Sequence, residues 1–186
     1  MKIITGRFKG RRLQGVPSKG IRPATERAKG VIFNSLQNRL NINGARVLDL
    51  FAGSGNLGFE ALSRGAAYVL FVDDSESALA LVEGNAGVLN CVDACGIVEM
   101  DAFSFVERCR DRFDLIFADP PYACDRTADL PRMIFEKNLL KKDGFLIIEH
   151  DKHTSFDPSA LYRLAVRKGF GSTHLSFFVH PSCEGG

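Results

Sequence analysis

The chain has 186 residues, of which 45% are hydrophobic and 25% are charged. This length and composition predict one globular domain and exclude a disordered, collagen-like or coiled-coil chain. The five cysteines form no Cys-x-x-Cys pair, and no cysteine or histidine cluster has zinc-ligand spacing. No apolar run approaches the roughly 20 residues that cross a bilayer, and the N-terminus lacks the apolar core of a signal peptide. We therefore expect a cytoplasmic monomer with reduced thiols, no metal and no membrane contact.

The net charge of +2 is unevenly distributed along the chain. Residues 1–30 contain nine lysines and arginines and one acidic residue, a net charge of +8, which leaves −6 for the other 156 residues. A basic segment on a weakly acidic body favours a polyanion as partner, although a solvated tail has the same composition. Gly6, Gly10 and Phe8 favour nucleic acid, because glycines allow close approach to phosphate and an aromatic ring stacks on a base. The residues predicted to contact RNA are Arg7, Lys9, Arg11, Arg12, Arg22 and Arg27.

The N-terminal part of the chain is predicted to form an arm and a helix. The basic arm covers residues 1–22, with a short hairpin around Gly6–Gly15, and a helix follows Arg22-Pro23. Thr25 is the predicted N-cap of that helix, in which apolar residues recur at helical spacing as far as Leu40. A boundary near residue 43 separates this RNA-contacting extension, residues 1–43, from an α/β body, residues 44–186.

The body alternates predicted strands with predicted helices. Strands are predicted at residues 46–51, 68–72, 96–99, 113–118 and 145–149, and the helices between them end near residues 64, 89, 108 and 138. Two further strands, at residues 161–166 and 173–179, form a predicted hairpin joined across Lys168-Gly169. This order predicts an α/β fold with a doubly wound, mostly parallel seven-stranded sheet that ends in an antiparallel strand.

The turn after the first strand predicts a nucleotide-like cofactor. Gly53-x-Gly55-x-x-Gly58 opens a helix there, as in enzymes that bind nicotinamide cofactors or S-adenosylmethionine. Asp49 favours S-adenosylmethionine, because a carboxylate four residues before the first glycine would face the cationic end of its amino acid. Asp73, at the end of the second strand, would accept hydrogen bonds from ribose hydroxyls. Asp101, just past the third strand, would accept a hydrogen bond from the adenine amino group or cap the helix that follows it. The predicted cofactor-binding residues are Asp49, Phe51, Gly53, Gly55, Asp73, Asp101 and Ala102.

The strongest chemical signal is Asp119-Pro120-Pro121-Tyr122, the predicted catalytic motif. Two prolines fix the backbone and remove two N–H donors, so the carbonyl oxygens and the Asp119 carboxylate remain as acceptors. Such an array suits a planar amino group, because hydrogen bonds to both of its hydrogens expose the nitrogen lone pair to a methyl sulfonium. Tyr122 offers a ring face on which a base can stack. A rigid turn without a ligand is the alternative, which the position at the end of a central strand disfavours.

Several segments resemble the bacterial 16S ribosomal RNA guanine-N2 methyltransferase (RsmD-like) family, over nearly the whole chain. They are Ile3-Ile4-x-Gly6, Arg11-Arg12-Leu13, Arg22-Pro23 before a helix carrying Arg27, Val47 to Gly55, Glu60 to Gly65, and Asp119-Pro120-Pro121-Tyr122. The resemblance implies a class I methyltransferase fold that binds S-adenosylmethionine and leaves S-adenosylhomocysteine. It also implies methylation of one guanine of 16S rRNA at N2, within a partly assembled small subunit. Gly30, where the family has an acidic residue, and Asp73, where it more often has Glu, depart from the pattern.

Other classes of function stay open at this point. A DNA adenine or cytosine amino-methyltransferase would share the Asp119 motif but usually has a larger target-recognition domain. A protein glutamine methyltransferase would favour Asn at position 119. An RNA-binding module without activity would have no reason to keep both motifs, and a nicotinamide dehydrogenase would need a proton donor that the motifs do not present.

Overall fold

The computed structural model describes residues 1–15 and 23–181, so the predicted RNA contact Arg22 lies outside the described residues. The helices are α1 (Pro23–Leu36), α2 (Asn56–Ser63), α3 (Glu76–Leu89), α4 (Ala102–Arg108) and α5 (Leu130–Glu136). The strands are β1 (Arg46–Leu50), β2 (Tyr68–Asp73), β3 (Cys95–Glu99), β4 (Phe113–Ala118), β5 (Leu140–Asp151), β6 (Arg163–Phe170) and β7 (Thr173–Val179). None of the helices in the described ranges is long and apolar enough to cross a membrane.

All seven strands belong to one sheet, in the order β3-β2-β1-β4-β5-β7-β6. Strands β1 to β5 run parallel to one another, and β7 lies antiparallel between β5 and β6. The predicted fold class is therefore confirmed. The chain moves outward from β1 to β3 and then returns to the other side of β1 with β4, which makes the β1–β4 boundary the switch point of the sheet. Open α/β sheets bind ligands at such a point, outside the carboxyl ends of the strands.

Strand side chains alternate between two hydrophobic cores, one on each face of the sheet. Val47, Phe117 and Phe177 point to the face covered by α1, α2 and α3, which we call the α1 face. Their neighbours Leu48 and Ile116 point to the face covered by α4 and α5, the α4 face. Because β1 and β4 are buried on both faces, their sequences are apolar except at the exposed first residue Arg46 and at Asp49 and Asp114.

Some predicted boundaries are wrong. The β6–β7 turn lies at Gly171 and Ser172 rather than at Lys168-Gly169, because Gly169 is paired with His174 and Gly171 adopts the left-handed conformation of the turn, with φ of 61°. β5 begins at Leu140 instead of residue 145, and α1 ends at Leu36 instead of Leu40. The start of β5 depends on its pairing with β4, and the end of α1 depends on packing. A local sequence pattern contains neither kind of contact.

The first residues form the predicted hairpin, and it packs on the body. Lys2 and Arg12 form an antiparallel bridge, and the N–H of Ile3 donates to the Arg11 carbonyl at 3.0 Å. Ile3 and Leu13 are buried in the core of the α1 face. The described part of the basic segment is thus a folded layer on α2 and α3, not a solvated tail.

The buried carboxylate of Glu60 in α2 holds this layer in place. Its two oxygens accept the backbone N–H groups of Ile4 and Thr5 at 2.8 and 3.1 Å. The same carboxylate pairs with the Lys29 ammonium at 3.3 Å and accepts the Nε–H of Arg64 at 2.9 Å. Lys29 and Glu60 are both fully buried, so the charges are compensated by each other and by hydrogen bonds rather than by water.

Lys29 extends the network from α1 to the start of α2. Its ammonium also donates to the Lys2 carbonyl at 2.7 Å and to the Asn56 side-chain oxygen at 2.9 Å. One cation on α1 therefore holds the hairpin, the middle of α2 and the first residue of α2 together.

We expect Glu60→Ala to lower the free energy of unfolding by about 3–5 kcal/mol, because it leaves the Lys29 charge buried and two hairpin N–H groups without an acceptor. Lys29→Met should cost less, since Glu60 keeps Arg64 and both N–H groups. Urea denaturation of the two variants measures the difference. Equal costs, or a cost below 1 kcal/mol for Glu60→Ala, would contradict this account of the network.

The glycine that departs from the family pattern is not required by the structure. Gly30 lies inside α1, and a Cβ built on it has no heavy atom within 4 Å. We expect Gly30→Ala to stabilise the protein by about 1 kcal/mol through helix propensity. Gly58→Ala is the matched control within α2, because its Cβ would lie 2.3 Å from the Phe71 ring and should destabilise the protein. Thermal unfolding of both variants tests the contrast in sign.

Candidate active site

The glycine turn follows β1 and is built from left-handed backbone. Phe51, Gly53 and Gly55 have φ of 58°, 54° and 80°. A Cβ on Gly53 would meet nothing within 4 Å, whereas a Cβ on Gly55 would lie 2.6 Å from the Phe59 ring. Gly53 therefore borders open space at the end of the sheet, while Gly55 and Gly58 allow α2 to pack closely on β2.

Asp73, at the carboxyl end of β2, holds the glycine turn. Its Oδ2 accepts the N–H of Gly53 at 2.8 Å, and its Oδ1 accepts the N–H of Ser75 at 3.0 Å. The turn is supported from the other side by Asn85 of α3, whose amide donates to the Ser54 carbonyl at 3.1 Å and to the Gln14 carbonyl at 3.0 Å. The bracing by Asp73 and the link from hairpin to turn were not apparent in the sequence, since both depend on contacts between distant segments.

Asp49 is a buried carboxylate at the centre of this edge. It is 3% exposed, and its Oδ2 accepts the N–H of Gly58 at 2.9 Å. Burial is the main cause that raises the pKa of Asp49 to about 8; the Gly58 hydrogen bond lowers it, and the nearby charges of Asp119 and Asp73 contribute to the rise. A carboxylate in these surroundings becomes charged readily only when a cation reaches it. The site therefore fits a cofactor that carries an ammonium and a sulfonium, as S-adenosylmethionine does.

The catalytic motif follows β4, next to β1 across the switch point. Asp119 is half-buried, Pro120 is buried, and Pro121 and Tyr122 are exposed. The Pro121 carbonyl accepts the N–H of Cys124 at 2.8 Å, so this carbonyl is already used in a turn rather than kept for a ligand. The Asp119 carboxylate is the acceptor of the motif that lies close enough to Asp49 to affect its pKa.

Tyr122 is fixed at its tip and open on its ring. The hydroxyl groups of Tyr122 and Thr173, the first residue of β7, are 2.5 Å apart, and the tyrosine is 46% exposed. The hydrogen bond fixes the direction of the side chain, while the ring face stays accessible to a planar group. The sequence predicts that a base stacks on this ring, but it does not show the hydrogen bond that holds the Tyr122 hydroxyl on β7.

Glu149 is an acidic residue of this edge that sequence reasoning did not single out as a site residue. It is buried in β5 directly after Ile148, the partner of Ala118 in β4, and Asp119 directly follows Ala118, so the two carboxylates occupy adjacent positions on neighbouring strands. The available signal was a carboxylate at the end of the apolar run Phe145–Ile148. Its place beside Asp119 needed the strand order.

Asp101 and Ala102 start α4 at the end of β3. The Oδ1 of Asp101 accepts the N–H of Ser104 at 2.8 Å, so the helix-cap role is confirmed, and the side chain is exposed. Ala102 is buried against the α4 face. Phe51 packs its ring edge-on to Phe103, with centroids 5.9 Å apart.

The predicted RNA-contacting residues are spread over the molecule. The N–H of Arg7 donates to the Ser63 carbonyl at the last residue of α2, and the Arg11 guanidinium donates to the Val88 carbonyl near the end of α3. Both helices begin at the carboxyl edge of the sheet, so their ends, and the hairpin tip with Arg7 and Lys9, lie at the opposite edge. Arg12, which forms the bridge with Lys2, is exposed.

Arg27 alone among the described basic candidates lies beside β6 and β7. Its guanidinium carbon is 5.4 Å from the ring centroid of Phe170, which pairs with Thr173, the residue that anchors Tyr122. Arg27 therefore lies at the carboxyl edge of the sheet, where the Asp119 motif is, whereas Arg7, Lys9 and Arg11 lie away from this edge.

The sheet order, the glycine turn after β1 and the acidic ends of neighbouring strands are together those of a class I S-adenosylmethionine-dependent methyltransferase. The solved structure of yhhF from Escherichia coli, provisionally described as a methyltransferase, superposes with a TM-score of 0.84 at 27% identity, over 97% of both chains. The chain belongs to the family described as Conserved hypothetical protein 95, whose model matches residues 1–179. The resemblance to RsmD-like methyltransferases is thereby confirmed.

Two relatives have names that state a substrate. YlbH of Bacillus subtilis, provisionally described as an rRNA methyltransferase, is 35% identical over 182 residues, which are 96% of this chain and 98% of YlbH. The Escherichia coli protein named ribosomal RNA small subunit methyltransferase D is 36% identical over 149 residues, 80% of this chain and 71% of that protein.

We expect S-adenosylmethionine binding to release about one proton from Asp49 at pH 7. The pKa of about 8 keeps most of the free protein protonated there, and a bound cation favours the carboxylate, so affinity should rise with pH between 6 and 7.5. Calorimetry in buffers of different ionisation enthalpy counts the proton. Asp49→Asn keeps the acceptor for Gly58 but should release none, and proton-neutral binding by the parent protein would contradict the assignment.

Proposed function

We propose that this protein transfers a methyl group from S-adenosylmethionine to the exocyclic N2 amino group of a guanine in 16S ribosomal RNA. The observation that carries the proposal is the position of Asp119 and Tyr122 at the carboxyl end of β4, across the switch point from Asp49 and the glycine turn. An acceptor for an amino group and a stacking face for a base thus lie beside a site suited to a cationic cofactor.

The relatives support an rRNA substrate. The family relation covers nearly the whole chain, and proteins of Escherichia coli and Haemophilus influenzae that are 36% and 32% identical carry the name ribosomal RNA small subunit methyltransferase D. The choice of an amino group rests on the acceptor chemistry of Asp119, and the choice of guanine N2 rests on the resemblance to the RsmD-like family. A partly assembled small subunit as substrate is part of the same proposal.

Residues on β1 and β2 would hold the cofactor. Asp49 would neutralise its ammonium group, Gly53 would leave room for it at the turn, and Asp73 would offer the remaining lone pairs of its carboxylate to the ribose while it holds the turn. Asp101 would reach the adenine amino group with the oxygen that does not cap α4, beside Phe51 and Ala102. Bound S-adenosylmethionine supplies an electrophilic methyl group.

The residues after β4 would orient the acceptor. The Asp119 carboxylate would accept a hydrogen bond from the amino group of the base and so aim the nitrogen lone pair, and Tyr122, anchored on Thr173, would stack on the base. The two prolines keep backbone N–H donors out of this position. No strong base is required, because the proton of the amino group becomes acidic once the nitrogen gains a methyl group.

The alternative substrates remain distinguishable by experiment. Methyl transfer should be assayed side by side on naked 16S rRNA, on small-subunit particles and on duplex DNA, followed by nucleoside analysis of the products. The proposal expects N2-methylguanosine from rRNA or its particles. Methyladenine or methylcytosine in DNA, methylglutamine in a protein, or RNA binding without methyl transfer would each point to the corresponding other function.

We expect Asp119→Ala to lower kcat for methyl transfer about 100-fold or more, because the acceptor that orients the amino group is lost. S-adenosylmethionine affinity should change little by comparison. Asp125→Ala, an exposed carboxylate of the same loop, is the matched control and should retain parental rates. Single-turnover kinetics with calorimetry separates the two quantities. A loss confined to cofactor affinity would show that Asp119 belongs to the cofactor site instead.

A further inference from the structure

A groove runs between helix α1 and the edge strand β6. It consists of two adjoining cavities of about 340 Å³ each, which share Asn34, Ser35 and Lys168. We call this surface the α1–β6 groove, and its lining is Val31, Asn34, Ser35, Asn38 and Arg39 from the helix side and Val166, Lys168, Gly169 and Phe170 from the strand.

Both walls follow from secondary-structure periodicity. Residues 31, 34, 35 and 38 recur at helical spacing beside the buried stripe of Ile32, Phe33 and Leu36. Residues 166, 168 and 170 alternate along β6 and therefore share the α1 face of the sheet. Since β6 pairs only with β7 in the described sheet, its outer side borders the groove without a further strand.

The chemistry of the groove is that of a polyanion site. Lys168 and Arg39 are exposed cations on its two walls, the amides of Asn34 and Asn38 lie between them, and Arg27 lies over the Phe170 ring at one end. None of the described lining residues is acidic. This concentration of positive charge occurs on a body whose residues beyond 30 carry a net charge of −6.

The groove also leads to the candidate active site. Its Phe170 end pairs with Thr173, whose hydroxyl contacts Tyr122. From Arg27 to Leu36 the helix extends about 14 Å, at 1.5 Å per residue, and Arg39 follows in the turn after it. An RNA strand in the groove would therefore pass Arg27, Lys168 and Arg39 on its way from the motif. The basic tip of the N-terminal hairpin has no such connection, because it lies at the opposite edge of the sheet.

We propose that the α1–β6 groove binds the single-stranded RNA segment that flanks the target base, an inference that rests on the proposed function. Spaced cations match backbone phosphates, and the asparagine amides match sugar and base edges. Arg27, which lies over the Phe170 ring, offers a guanidinium at the end nearest Tyr122. This proposal gives an RNA-binding role to Lys168, Arg39, Asn34 and Asn38. All four lie outside the glycine turn and the Asp119 motif.

The test compares Lys168→Glu and Arg39→Glu with Lys137→Glu, an exposed cation at the end of α5 on the opposite side of the sheet. Affinity for an rRNA fragment is measured over a salt series, together with methyl-transfer kinetics and S-adenosylmethionine affinity. Each groove variant should bind RNA at least tenfold more weakly, with a salt slope smaller by about 0.7 per lost phosphate contact. Cofactor affinity should be unchanged, and Lys137→Glu should behave as the parent protein.

The outcomes separate this proposal from the proposed function. If the parent protein methylates rRNA and the groove variants match Lys137→Glu, the groove proposal is wrong while the function stands. If Arg7→Glu and Lys9→Glu weaken RNA binding and the groove variants do not, the RNA lies on the hairpin instead. Loss of activity on small-subunit particles with unchanged RNA affinity would assign the groove to a protein of the particle and overturn its RNA role. If the parent protein does not methylate rRNA, the proposed function itself is wrong, whatever the groove variants show.

Discussion

The buried Glu60 carboxylate is the interaction on which the arrangement of this protein most depends. It accepts hydrogen bonds from the hairpin backbone and from Arg64 and pairs with Lys29, while Lys29 reaches the first residue of α2 through Asn56. A buried ion pair adds little stability over an apolar contact, but a missing partner is costly. The network therefore fixes one docking geometry for α1 and the hairpin, and with it one wall of the α1–β6 groove.

The carboxyl edge of the sheet gathers several carboxylates close to one another, whereas Glu60 lies against the Lys29 ammonium. Asp49, Asp73, Asp119 and Glu149 lie near the carboxyl ends of four adjacent strands. Burial, with the charges of Asp119 and Asp73, raises the pKa of Asp49 to about 8. Carboxylates gathered without a cation are unfavourable for the folded chain, which a binding site can tolerate when its ligand supplies the missing positive charge. The same edge carries both the feature that favours a cationic cofactor and the acceptor that favours an amino group.

The basic residues fall into two groups, one at each edge of the sheet, and these groups do not follow the order of the residues in the chain. The hairpin tip, which holds Arg7 and Lys9, lies at the amino edge, whereas Arg27 and Lys168 lie on the side where β6, β7 and Tyr122 meet. Net charge along the sequence indicates that a polyanion is a suitable partner. Which cations can act together on one strand of RNA is a matter of which edge each element reaches.

The sequence by itself determined the order of strands and helices, the glycine turn and the Asp119 motif, because apolar periodicity and turn residues are local properties. It also determined that acidic residues lie at or beside the ends of β1, β2 and β4. Only the tertiary structure decided the β6–β7 turn at Gly171, the bracing of the glycine turn by Asp73, the pairing of Lys29 with Glu60, and the place of Glu149 beside Asp119. These features depend on contacts between segments far apart in the chain, and such contacts exist only after the strands have taken their order in the sheet.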